Sequence, residues 1–270
     1  MRKQNLKTMK KISIIILAFT LAFRAGAFEA IEVSHTGTGS PVIILPVLGG
    51  PAVWAETIAK LSKNNKCYLV RIKGIDGTQN PDTLDFDKVS TEITEFIVSE
   101  KLKKTSILAH SFGGFLAMQI LSKNPGLAQS LILIDSYPFA LAIYHPDINQ
   151  EIGKQQAEIY RKQLLSLPNE HYSAFWMQNA KTMTIDSTHQ KKVFDLLTQS
   201  EKKHIIEAQC LILENDLRVA IQNISCPILV LCSAPMLKNT GLDMAILKQR
   251  IEEHFNTSKV CSIFMHKNAK

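Results

Sequence analysis

Apolar and polar positions along the chain predict buried strands that alternate with amphipathic helices. Short apolar runs, typical of strands buried on both faces, occur at residues 42–45, 67–72, 107–109, 130–135, 228–232 and 260–265. Apolar residues recur at helical spacing in 53–61 and 87–102. The weakly alternating segment 28–35 is expected to form an edge strand. The pattern predicts an α/β fold, with a mainly parallel sheet flanked by helices.

Residues 137–223 depart from this alternation, because their apolar residues follow only the helical period. This segment is predicted to be a helical insertion between two parts of one sheet domain, 28–136 and 224–270. Most of its aromatic residues are expected to pack inside the insertion. Its four histidines, and the five cysteines of the whole chain, lack the spacing of metal ligands, so no metal site is predicted.

Residues 1–27 have the three parts of a secretory signal peptide. Five basic residues precede the apolar run 12–23, and Ala25-Gly26-Ala27 offers small residues for cleavage. The apolar run is much shorter than the roughly 20 residues that span a bilayer. The sequence therefore predicts a secreted or periplasmic protein without stable membrane insertion after cleavage.

The net charge of +7 is concentrated in this leader. Six basic residues lie there without an acidic one, so the rest of the chain carries about +1. Such a balance gives no electrostatic basis for binding nucleic acid.

Ser111 stands at the turn between the predicted strand 107–109 and a predicted helix. Gly113 and Gly114 follow it, and their small size would let the helix approach the sheet closely. At the start of a helix, unpaired N–H groups and the positive end of the helix dipole would face an oxyanion forming at Ser111. Ser111 is therefore a candidate nucleophile, and the structural alternative is an ordinary helix N-cap.

The stretch 109–113, Ala-His-Ser-Phe-Gly, resembles the nucleophile elbow of the α/β-hydrolase family, usually G-x-S-x-G, with Ala109 replacing the first glycine. The order of predicted elements after residue 27 is also similar to that of the family. The resemblance implies that 137–223 is a helical cap that roofs the active site. It also implies a serine hydrolase that needs no cofactor and cleaves small esters, lactones or related acyl compounds.

The same resemblance implies an oxyanion hole made of two backbone N–H groups. One belongs to Phe112, directly after the serine. The other belongs to Leu48, in the loop that follows the strand 42–45. Val47 stands where the family usually has glycine, but a backbone donor requires no particular side chain.

Two acids are candidates for the residue that orients the catalytic base. Asp135 ends the strand after the elbow unit, and so is expected at the same sheet edge as Ser111. Asp243 follows the strand 228–232, which more commonly carries the acid in this family, but its position indicates a helix. Asp135 is the preferred acid and Asp243 the alternative, while a structural role for Asp135 would be to cap the first cap helix.

The base is expected shortly after the last strand, 260–265. His266 ends that strand, whereas the loop position expected for the base falls at or beyond Lys270. The chain also lacks the family's final helix. The sequence therefore predicts either that His266 serves as the base or that the chain is cut short at its C-terminus.

Two other functions remain open from the sequence. One is a non-catalytic relative that binds a hydrophobic small molecule under the cap. The other is a cofactor-free haloperoxidase or dehalogenase, because one fold supports several chemistries. Dehalogenation is disfavoured, since it would require a carboxylate at Ser111.

Overall fold

The computed structural model describes residues 28–46, 48, 51–77, 80, 83–183, 186–233, 243–256 and 261–266. The predicted signal peptide, 1–27, lies outside the described residues. A seven-stranded sheet has the order β1-β3-β2-β4-β5-β6-β7. The strands are β1 Ile31–Thr36, β2 Ser40–Leu45, β3 Asn65–Ile72, β4 Ser106–His110, β5 Ser130–Ile134, β6 Ile228–Ser233 and β7 Cys261–His266.

Only β1 runs antiparallel to its neighbour within this sheet. The remaining five pairings are parallel, so the carboxyl ends of β2 to β7 meet at one edge. Apolar side chains fill the middle strands, and Ile43, Ile44 and Leu45 are completely buried. The predicted fold class is confirmed, because buried parallel strands require cover on both faces.

Helices cover the two faces of the sheet and form the insertion. They are α1 Ala55–Leu61, α2 Phe86–Ser99, α3 Phe112–Lys123, α4 Ala140–Tyr144, α5 Gln150–Ser166, α6 Asn169–Met183, α7 Ser187–Gln199, α8 Lys202–Glu214 and α9 Met244–Phe255. Trp54 and α1 pack on one face, over β2, β4 and β5. Helices α2, α3 and α9 join the larger core on the other face. Phe264 of β7 is 58% exposed.

Several element boundaries differ from those expected, each for a local reason. The edge strand begins at Ile31 rather than residue 28, because the Glu92 carboxylate accepts the N–H groups of Glu29, Ala30 and Ile31. Helix α2 ends at Ser99. Lys101 has a φ of 51°, in the left-handed region, and a right-handed helix cannot continue through that conformation. Helix α1 begins at Ala55, after a 3-10 turn at Pro51–Trp54.

The helices between β5 and β6 are fastened to the sheet domain by specific hydrogen bonds. The N–H of Glu201 donates to Gly74 O at 2.9 Å, and the N–H of Leu84 donates to His204 Nε2 at 3.3 Å. On the other side, Arg250 of α9 donates to Ile143 O at 2.6 Å. No helix in the described part of the chain is long and apolar enough to cross a membrane.

Candidate active site

Ser111 occupies a strained turn between β4 and α3. Its backbone angles are φ 52° and ψ −116°, which non-glycine residues adopt rarely and which tend to cluster at functional sites. The turn is held by its own backbone, since the N–H of Ser111 donates to Ile134 O at 3.0 Å and the N–H of Phe115 donates to Ser111 O at 3.1 Å. The Ser111 side chain makes no capping bond to α3. Its hydroxyl is therefore not committed to the N-cap role that was the structural alternative.

Two glycines allow α3 to approach the sheet behind Ser111. A Cβ on Gly113 would lie 2.5 Å from Leu45 O and 2.6 Å from Pro46 O. A Cβ on Gly114 would collide with the side chain of Ser136. The Ser136 hydroxyl donates to Ile134 O at 2.8 Å and to Ser111 O at 3.2 Å. The first turn of α3 is thus packed between the ends of β2 and β5.

Asp135 follows β5 at the same edge of the sheet as Ser111. Strands β4 and β5 are parallel neighbours with His110 opposite Ile134, so Ser111 and Asp135 occupy equivalent positions after them. Asp135 also has a positive φ, 44°. The adjacency expected from the sequence is confirmed.

The Asp135 carboxylate is bound by one residue of β6. Ser233 donates its backbone N–H to Oδ1 at 2.7 Å and its hydroxyl to Oδ2 at 2.7 Å. In addition, the N–H of Asp135 donates to Leu231 O at 2.9 Å. Asp135 caps none of the described helices, and α4 begins after Phe139.

His110, directly before the nucleophile, lies near Asp135. Burial lowers the pKa of His110, and the negative charge of Asp135 partly opposes this shift. Its ring meets that of Trp54 edge-on, with centroids 6.3 Å apart. His110 is therefore an uncharged ring beside the acid, packed toward α1.

Two tyrosines in the segment that follows β5 lie near the same carboxylate. Burial raises the pKa of Tyr137, with further contributions from Cys232 and Asp135. Burial likewise raises the pKa of Tyr144, and Asp135 adds to the shift. Both phenols are neutral, so the carboxylate lies in apolar and uncharged surroundings on this side.

Phe112 and Leu48, the two residues expected to supply oxyanion donors, follow the ends of β4 and β2. Phe112 is the first residue of α3, where helix N–H groups have no acceptor within the helix. Leu48 is 5% exposed and follows the end of β2. The contact of Gly113 with Leu45 O and Pro46 O brings the start of α3 against this part of the chain.

Asp243 and His266 lie farther along the chain in different settings. The Asp243 carboxylate caps α9 and accepts the N–H groups of Ala245 and Ile246 at 2.8 Å. His266 ends β7, with its Cα opposite that of Ser233. The loop positions after His266 lie outside the described residues.

The chain matches no known protein-family profile. Abhydrolase domain-containing protein abhd-5.2 of Caenorhabditis elegans is 26% identical over 126 residues, which cover 44% of this chain and 28% of that relative. A pimeloyl-(acyl-carrier protein) methyl ester esterase of Aliivibrio fischeri is 24% identical over 194 residues, covering 71% of this chain and 74% of the relative. The match thus spans less than a third of the first relative and about three quarters of the second.

Solved structures give the fold independently. An esterase from Exiguobacterium antarcticum superposes with a TM-score of 0.68 over 88% of this chain and 87% of that chain, at 16% identity. This protein has the α/β-hydrolase fold. Within this fold, Ser111 lies at the turn that joins β4 to α3.

Ser136 and Ser233, which bond to Ser111 O and to the Asp135 carboxylate, were not predicted from the sequence. Ser233 ends the apolar run of β6, and a polar residue at the carboxyl end of a buried parallel strand is a signal that could have singled it out. Ser136 follows Asp135 and gave no such signal. Among the described residues no group of three His, Cys, Asp or Glu side chains could hold a metal ion.

Proposed function

We propose that the protein is an exported serine hydrolase that cleaves small ester, lactone or related acyl substrates through an acyl-enzyme intermediate. The strained backbone of Ser111 at the β4–α3 turn carries this proposal, because such strain persists only where the surrounding structure enforces it. The bound carboxylate of Asp135 at the same sheet edge supports it. The esterase relative is consistent with acyl chemistry.

In the proposed reaction, Ser111 Oγ attacks the acyl carbon and its proton passes to an imidazole base. The carbonyl electron pair moves onto oxygen, and the N–H groups of Phe112 and Leu48 stabilise the resulting oxyanion. Collapse of this intermediate expels the alcohol, which takes the proton from the base. Water then attacks the acyl-serine in the same way and releases the acid.

Asp135 is the proposed partner of the base. A carboxylate fixed beside the nucleophile would hold the imidazole in the correct tautomer and stabilise its charged form. The proposed base is an imidazole that follows β7, and His266, at the end of β7, is the alternative. The proposed substrate binds between this sheet edge and the cap, which would exclude water from the oxyanion.

Covalent labelling tests the nucleophile directly. The full chain would be treated with a fluorophosphonate, and the labelled peptide would be identified by mass spectrometry. We expect labelling at Ser111 and none in Ser111→Ala, while Ser130→Ala, a strand serine at the opposite sheet edge, should label normally. Labelling that persists in Ser111→Ala would reject the proposed nucleophile.

Binding of a hydrophobic molecule without chemistry is the second candidate function. The neutral Tyr137 and Tyr144 near Asp135 favour it, since they provide an apolar wall with polar tips. A p-nitrophenyl ester series would separate the two functions. Turnover that Ser111→Ala removes supports hydrolysis, whereas saturable binding of the esters without turnover in the full chain supports the binding protein.

Export is a separate proposal that rests on the predicted signal peptide. Expression with residues 1–27 should deliver a shorter protein to the periplasm or medium. An N-terminal sequence beginning at Phe28 would support cleavage after Ala27. Retention of the intact N-terminus inside the cell would contradict it.

A further inference from the structure

We propose that Ser233 is a positioning residue that holds the Asp135 carboxylate for catalysis, an inference that rests on the proposed serine hydrolase function. Ser233 supplies a donor to each carboxylate oxygen, both at 2.7 Å, although it is 98 positions away in sequence. Hydrogen bonds to an ionised acceptor are short and strong. One residue thereby fixes both the position and the rotation of the carboxylate.

The strand register explains why these two residues meet. Ile134 lies opposite Leu231, so Asp135 faces Cys232 and Ser233 extends one residue farther toward the sheet edge. The N–H of Asp135 binds Leu231 O on the near side, and its carboxylate binds Ser233 on the far side. The positive φ of Asp135 turns the chain away from the strand direction at this point. Asp135 is thus anchored to β6 by its backbone and by its side chain.

The contact leaves the carboxylate able to act on a base. Each carboxylate oxygen has lone pairs beyond the one that Ser233 uses, so Asp135 can still accept the N–H of an imidazole. Holding the acid in one orientation matters because a small misplacement of a catalytic group costs a large factor in rate. Both donors of Ser233 are bound to Asp135, so the effect of Ser233 on catalysis is expected to pass through Asp135.

A purely structural role would give a different result in a double-mutant cycle. Ser233→Ala removes the hydroxyl and keeps the backbone N–H, while Ser233→Thr keeps both donors. Ser130→Ala is the matched control, because the Ser130 hydroxyl donates to Ser106 Oγ, at 2.8 Å, at the opposite edge of the sheet. Each change would be made in the native chain and in Asp135→Asn.

The measurements are kcat and KM for a p-nitrophenyl ester and the rate of fluorophosphonate labelling, all on the full chain. We expect Ser233→Ala to lower kcat by about 10- to 100-fold with KM within about twofold, since orientation of a catalytic group acts on the chemical step. Ser233→Thr and Ser130→Ala should stay within about threefold of the native chain. In Asp135→Asn, the further loss from Ser233→Ala should vanish, because residues that act as a unit are not additive.

Three outcomes would overturn the inference. They are an unchanged kcat in Ser233→Ala, an equal loss in the native and Asp135→Asn chains, and a loss in Ser130→Ala as large as that in Ser233→Ala. If Ser233→Ala does not fold, Ser233→Cys, which keeps the side-chain size but donates weakly, must show the loss instead. Failure of the hydrolase proposal is distinguishable, because Ser111→Ala would then keep its turnover or its labelling.

Discussion

Gly114 of α3 and Ser136 after β5 pack so closely that no side chain fits on the glycine. A Cβ there would overlap both the Cβ and the Oγ of Ser136. Ser136 is 3% exposed and is hydrogen-bonded to Ile134 O, so it cannot simply turn away. This contact sets the distance between α3 and the strand that Asp135 follows.

We expect Gly114→Ala to lower the free energy of unfolding by about 1–3 kcal/mol, the usual cost of overpacking a rigid site. Ser136→Gly should restore part of this loss, because it removes both overlapping atoms. Ser136→Ala should restore little, because its Cβ remains. Urea denaturation monitored by tryptophan fluorescence would measure these differences.

Gly113→Ala provides the comparison. Its Cβ would meet the backbone oxygens of Leu45 and Pro46 at 2.5 and 2.6 Å, and no side-chain replacement removes them. Gly126→Ala tests backbone strain alone, since its φ is 88° and nothing lies within 4 Å of the added atom. Rescue of Gly113→Ala by Ser136→Gly would show that the packing argument is wrong.

Asp135 and Asp243 should respond differently to the same substitution. Asp135→Asn should lower kcat by about 10⁴-fold, the scale seen when the acid of a serine triad is neutralised. Asp243→Asn should leave kcat nearly unchanged and stability within about 0.5 kcal/mol, because asparagine caps helices about as well as aspartate. Ester turnover and thermal melting of both variants would check this. A large loss of kcat in Asp243→Asn alone would transfer the role of the acid to Asp243.

These two acids also show what the sequence could and could not predict. The strand pattern was sufficient to place Ser111 and Asp135 on one edge, because parallel neighbouring strands end together. The bond from Ser233 to Asp135 joins residues 98 positions apart, and its partners depend on how β5 and β6 align. No local pattern encodes that alignment. The sequence pattern also misplaced the end of α2 and the start of β1. The positive φ of Lys101 follows the end of α2, and the buried carboxylate of Glu92 binds the chain before β1.

His254 of α9 should make the folded protein sensitive to acid. Burial lowers the pKa of His254 from 6.5 to about 4, and the positive charge of Arg218 lowers it further, while Asp216 and Glu253 oppose the shift. The unfolded chain therefore binds a proton more readily than the folded chain as the pH falls. The contribution of the neutral His254 to the free energy of unfolding is fully present above pH 6.5. It is lost progressively as the pH falls toward 4, by roughly 3 kcal/mol in total.

The test compares unfolding free energies at pH 7 and pH 4. The free energy of unfolding of His254→Gln should fall by about 3 kcal/mol less than that of the native chain between pH 7 and pH 4, because glutamine does not titrate. His171→Gln, a replacement at an exposed position of α6, should behave like the native chain. Equal pH dependence in His254→Gln and the native chain would remove His254 as the cause.

The last prediction concerns the base. His266 ends β7, and β7 is separated from β4 by β5 and β6, so neighbouring-strand spacing places its Cα about 14 Å from that of Ser111. A serine side chain, an imidazole and the hydrogen bond between them together span about 10 Å. The end of β7 would have to move inward by about 4 Å for an imidazole there to reach Ser111 Oγ.

We therefore expect His266→Ala to keep the rate of fluorophosphonate labelling at Ser111 and the turnover of a p-nitrophenyl ester within about twofold of the native chain. Ser111→Ala is the inactive control. A loss of 100-fold or more in His266→Ala would make His266 the base and would require that inward movement when substrate binds.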